Sequence, residues 1–202
     1  DRYEVGRGLK QAGDIDGAIA EFSKAIFVLD SEAAFFNARG DCYHQLGDYK
    51  SAIQNFSKAY KLAPSKQLGT KLSRLLVSEG ILHLEMGLLA EALHCFNESL
   101  LSDNQNTQAM LQKAFTLLGM QQHHRAIEEL ERYCSIDDTN CQVLIILAKI
   151  HKHLKNNTSA AACMQRAVSL YPADKEVRSL LDDFKGGASD LYRDATDCLL
   201  EG

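Results

Sequence analysis

Proline is scarce in this 202-residue chain, which has only Pro64 and Pro172. A proline ring lacks an N–H and clashes with the preceding helical turn, so the two mark places where helices stop and leave the rest free to be helical. Basic blocks are missing as well. With 22 Lys and Arg against 27 Asp and Glu, the formal net charge is −5. Nucleic-acid affinity rests on clustered cations that neutralise phosphates, so this composition argues against a nucleic-acid partner. The longest apolar run, Val143–Ala148, falls far short of the roughly 18 residues that span a bilayer. The opening DRYEVGRGLK has no signal-peptide core. The chain reads as cytoplasmic, with no membrane partner.

Motifs of chemistry are equally thin. Six cysteines (Cys42, Cys95, Cys134, Cys141, Cys163 and Cys198) show no C-x2-C spacing and fall inside helical patterns, which favours reduced core thiols over a disulfide frame. Gly6-Arg7-Gly8 lacks the third glycine and the preceding strand of a phosphate loop. The histidine clusters are His123-His124 and His151-x-His153. Ligands on one helix need i, i+3 or i, i+4 spacing to share a face, so these read as surface turn residues. A zinc site with Cys134 and Cys141 is the alternative. The acidic pairs Glu128-Glu129, Asp137-Asp138 and Asp182-Asp183 read as helix faces and caps, since nothing places two carboxylates across a cleft. No enzyme, metal or cofactor is expected.

What the chain does have is internal repetition, in a composition that is 46% hydrophobic and 24% charged and sufficient for a sizeable core. In Ala33–Pro64 the residues Gly40, Tyr43, Gly47, Asp48, Tyr49, Ala52, Phe56, Ala59 and Pro64 stand at the offsets of a small residue, an aromatic, a turn glycine and A-x3-F-x2-A-x4-P. This pattern resembles the tetratricopeptide repeat. The same offsets recur with Gly6, Gly13, Ala18, Phe22 and Ala25, and with Gly80, Gly87, Ala92, Phe96 and Ser99. They return with Ala114, Gln121, Ala126, Leu130 and Tyr133, and with Ala148, Ala160, Met164, Ala167 and Pro172. Repeats are placed at about 1–32, 33–66, 73–106, 107–140 and 141–174, followed by a helix over 174–185 and the opening helix of a further repeat over 189–202. The third repeat is offset from the second by 40 residues rather than 34. The extra Ser65–Lys71 could lengthen a loop or extend the next helix, and Gly69 with Thr70 favours a loop break with a cap at Thr70. In the fifth turn, Lys155-Asn156-Asn157, asparagine is expected to take the left-handed conformation. The ends of the segment read as those of a piece of a longer solenoid.

The resemblance implies an all-α, right-handed superhelical solenoid of helix-turn-helix tetratricopeptide repeats, with first helices lining a concave side. Small residues at Gly6, Gly40, Gly80, Ala114 and Ala148 would let paired helices approach, with Phe22, Phe56 and Phe96 filling the space between neighbouring hairpins. The family's groove-facing positions fall here on Tyr3, Arg7, Lys10, Asn37, Asp41 and His44; on Arg74, Val77, Ile81 and Leu84; on Gln108, Leu111, Phe115 and Leu118; and on Gln142, Ile145, Lys149 and Lys152. They describe an apolar middle between polar ends, suited to an amphipathic helix or an extended peptide. The alternative is that Val77, Ile81, Leu111 and Phe115 pack internally. The family's carboxylate clamp would need Lys and Asn where Tyr3 and Arg7 stand, Asn at Ala38, and Lys and Arg at Arg74 and Ser78; only the charge at Arg7 and Arg74 survives, so that mode is essentially absent. The arrangement of repeats is also similar to ciliary or axonemal members of the family. That likeness implies a non-catalytic scaffold within a multi-protein, microtubule-based assembly. A cytosolic peptide adaptor, or a regulatory domain attached to an enzyme, are the rivals.

Overall fold

Among the described residues, six helices start at a short polar side chain that accepts a free backbone N–H, and those opening after Glu32, Leu88 and Gln122 do not. The computed structural model describes residues 1–172. It contains α1 (Arg2–Gln11), α2 (Ile15–Val28), α3 (Ala33–Gln45), α4 (Tyr49–Leu62), α5 (Lys66–Glu85), α6 (Leu89–Ser102), α7 (Thr107–Gly119), α8 (His123–Cys134), α9 (Cys141–His153) and α10 (Asn157–Leu170), with no strand among the described residues. The helices expected over 174–185 and 189–202, and Cys198, lie outside the described residues. Asp14, Asp48 and Asn156 cap the second helices of three hairpins by accepting from the N–H of Gly17, Ser51 and Ser159.

Five hairpins close with the same turn. In the second, the Asp48 N–H donates to the Tyr43 carbonyl and the Gly47 N–H to the His44 carbonyl, the paired bonds of a Schellman ending. The residue between them must be left-handed, and Gly13, Gly47 and Gly87 occupy that place with φ of +87°, +77° and +74°. Gln121 and Lys155 take it in the last two hairpins, both at φ 60°. The left-handed residue of the fifth turn is therefore Lys155 rather than an asparagine. Asn156 is engaged as the cap of α10.

The extra residues after Pro64 extend α5 instead of forming a loop. Ser65, not Thr70, is the cap, its hydroxyl accepting from the Leu68 N–H at 3.3 Å. Gly69 sits inside the helix because a Cβ there would run into the carbonyl oxygen of Ser102. Thr70 Oγ1 donates to Asp103 Oδ2 at 2.9 Å. What looks like a helix breaker is a close approach of backbone to backbone.

The chain divides between Asn106 and Thr107 into two compact units. In the first, α1 packs on α2, α3 on α4 and α5 on α6, with α2 on α3 and α4 on α5 joining successive hairpins. Phe22 is buried with Ala18 and Cys42. Phe56 shares a cluster with Phe36, Leu68, Leu72, Leu75 and Leu76. These rings therefore touch the next hairpin, and they also press on the glycine of their own first helix. In the second unit α7 packs on α8, α8 on α9 and α9 on α10, and Leu144, Ile145, Ala148, Met164 and Ala167 form a core cluster.

Candidate functional site

The polar first-helix positions of the first unit come together. Tyr3, Arg7 and Lys10 of α1 and Asn37 and Asp41 of α3 line a cleft of 390 Å3 with Phe22, Ala38 and Gln45. Asp41 is held from both sides, by Lys10 Nζ at 3.4 Å and Lys71 Nζ at 2.9 Å, so one carboxylate links α1, α3 and α5. Arg7 pairs with Glu4 at 3.1 Å and lies 6.0 Å over the Tyr3 ring. Asn37 Oδ1 is buried without a hydrogen-bond partner. His44 is not among the lining residues. Its ring meets the edge of Tyr49 at 5.8 Å between centroids.

The apolar groove positions divide differently. On α5, Arg74 is exposed, Ile81 and Leu84 are half-buried and Val77 is only 2% exposed. Ile81 lines a separate cleft of 530 Å3 with Leu82, Ser78, Glu79 and the turn Gly47–Lys50. In the second unit Gln108 and Gln142 are exposed, and Leu111, Lys149 and Lys152 half-buried. Phe115, Leu118 and Ile145 are buried at 7%, 4% and 4% exposure. Val77, Phe115, Leu118 and Ile145 thus belong to the interior and form no open floor. Sequence position tells that a residue points inward from a first helix, but not whether water or another side chain meets it there.

Groups that could do chemistry are mostly engaged in structure. Glu129 pairs with Lys113 of α7 at 2.5 Å. Asp138 pairs with Arg166 at 2.8 Å. Hydrogen bonds from the Thr139 hydroxyl and N–H hold the Asp137 carboxyl below its ordinary range. Burial pushes the thiols of Cys42, Cys134 and Cys163 up, and burial together with Glu79 takes Cys95 to about 11, the opposite of an activated nucleophile. Asp182-Asp183 lie outside the described residues. Sequence spacing did not foresee one contact: His123 and His153, on different helices, meet edge to face with centroids 5.1 Å apart. Among the described residues no three His, Cys, Asp or Glu side chains converge as a metal site, and no helix is long and apolar enough to cross a membrane.

Comparison with known proteins agrees with this architecture. Tetratricopeptide repeat family models match residues 31–101 and 142–174. Tetratricopeptide repeat protein 16 of Macaca fascicularis and of Homo sapiens are each 25% identical over 202 residues, covering 99% of this chain and 23% of theirs. This chain spans about a quarter of those relatives. Among solved structures, YrrB, described as a TPR protein with an unusual peptide-binding site, aligns with a TM-score of 0.50 at 17% identity, covering 91% of this chain and 90% of that one. The Arabidopsis OM64 TPR domain aligns with a TM-score of 0.51 at 16% identity, covering 58% and 97%. These likenesses speak to fold. The hairpin pattern, its all-α repeat architecture and the two matched stretches place the chain in the tetratricopeptide repeat family.

Proposed function

We propose that this chain is a non-catalytic scaffold segment that holds an extended peptide of a partner protein against the first helices of its first unit. The observation that carries the reading is the open polar cleft between α1 and α3, lined by Tyr3, Arg7, Lys10, Asn37 and Asp41. Polar side chains spaced along such a cleft offer partners to the backbone groups of an extended segment. Tetratricopeptide folds serve protein–protein interaction, and the relation to tetratricopeptide repeat protein 16 supports the finer reading of a component in a ciliary or axonemal assembly, part of a multi-protein complex.

Peptides selected from a random display library on the wild-type chain provide the test. Their affinity, read by fluorescence anisotropy, is expected to fall at least about tenfold in Arg7→Glu/Asn37→Ala, with circular dichroism and melting unchanged. Unaltered affinity in that variant places binding elsewhere and ends the cleft reading. For the ciliary role, the tagged chain in ciliated cells is expected along the axoneme, and a diffuse cytosolic signal contradicts it.

A further inference from the structure

His123 opens α8 and His153 closes α9. The hairpin architecture does not call for imidazoles at these places. The positions equivalent to His123 hold Ile15, Tyr49, Leu89 and Asn157, and those equivalent to His153 hold Gln11, Gln45, Glu85 and Gly119. The two rings nonetheless meet, centroids 5.1 Å apart and planes at 61°. His123 Nδ1 is buried and has no hydrogen-bond partner, so a ligand at that nitrogen would displace no protein donor.

We propose that His123 and His153 together bind a divalent ion that favours imidazole nitrogen, of the class Zn2+, Ni2+ or Cu2+, and thereby tie α8 to α9. Imidazole suits these metals, with bonds near 2.0–2.1 Å. The two rings already stand edge to face on successive helices, and His153 is exposed at the end of its own. Among the described residues no third His, Cys, Asp or Glu side chain converges there, so water would complete the coordination. The consequence is mechanical. A metal bound across two successive hairpins stabilises their packing only while both imidazoles are unprotonated.

The test uses the full 202-residue chain and NiCl2 at millimolar concentration. The thermal midpoint of the wild type is expected to rise by about 2 °C or more at neutral pH, and the rise to shrink as the pH is lowered, because protons compete with the metal for imidazole nitrogen. His123→Gln and His153→Gln should each abolish it. An absent shift in the wild type, or a shift retained in both variants, overturns the site. So does a shift lost only in Cys134→Ser/Cys163→Ser, because the thiols would then be the ligands. Should either histidine variant fail to fold, substoichiometric Cu2+ is added to the wild type and imidazole signals are followed by NMR. Selective broadening of His123 and His153 supports the site, and uniform broadening of all seven histidines refutes it.

Discussion

Gly80 lies against the ring of Phe96 so closely that a Cβ on Gly80 would come within 2.5 Å of Phe96 Cε1. Gly6 faces Phe22 and Gly40 faces Phe56 in the same way, at 2.7 and 2.9 Å. At the equivalent places the second unit carries Ala114 with Leu130 and Ala148 with Met164, all buried at 1% exposure or less. The first helix gains a methyl where the second loses a ring, which conserves volume within each hairpin.

Gly80→Ala is therefore expected to destabilise by about 1–3 kcal/mol through overpacking. Gly80→Ala/Phe96→Leu should recover part of that loss by adopting the fourth hairpin's solution. A double-mutant cycle in urea reads the coupling. Strict additivity would show that the ring and the glycine do not meet.

The turns offer a second comparison. Gly47→Ala forces a Cβ into the left-handed region and should cost about 1 kcal/mol. Lys155→Gly removes such a Cβ at φ 60° and should stabilise by up to about 1 kcal/mol, the relieved strain exceeding the added freedom of the unfolded chain. Urea midpoints of the two variants should move in opposite directions.

Lys113 and Glu129 are each 14% exposed in their side chains and pair between α7 and α8. Lys113→Met leaves the carboxylate half-partnered, with only Arg132 at 4.0 Å, and is expected to cost about 2 kcal/mol. Lys113→Met/Glu129→Leu should return close to wild type, because an apolar pair of similar volume has no charge to desolvate. A double variant worse than the single would show net stabilisation by the ion pair.

His123 sets an acid limit on the second unit. Its folded value lies below the unfolded value of about 6.5, from burial first and then His153 and His124. The unfolded chain therefore takes up the proton first as pH falls. This site's contribution is neutral above the unfolded value, and stability is lost as pH drops through about 6.5 and below. Unfolding free energy measured between about pH 7.5 and pH 5 should fall less in His123→Asn than in wild type. Equal slopes would remove His123 as a source.

Hairpins were legible in the sequence because a helix pair needs small, aromatic and turn residues at set distances, and Gly6, Gly40, Gly80 and their partners keep them. Gly69 was misleading because its reason for being glycine, the Ser102 carbonyl, is 33 residues away and invisible to local pattern. The polar cleft at Tyr3, Lys10, Asn37 and Asp41 followed from first-helix positions alone. The apolar positions Val77, Phe115 and Leu118 did not, since inward-facing hydrophobes look alike whether they line a groove or fill a core. The meeting of His123 with His153 depends on the packing of one helix on the next, for which spacing along a single helix holds no signal.

Helices in each unit pack mainly on partners adjacent along the chain. Closing such contacts requires only short loops, so little chain entropy is lost before each contact forms. Folding should then be local and fast, of the order of microseconds to milliseconds. It can begin in any well-matched hairpin and spread to its neighbours, so the tight glycine–phenylalanine hairpins of the first unit are the natural places for the chain to start.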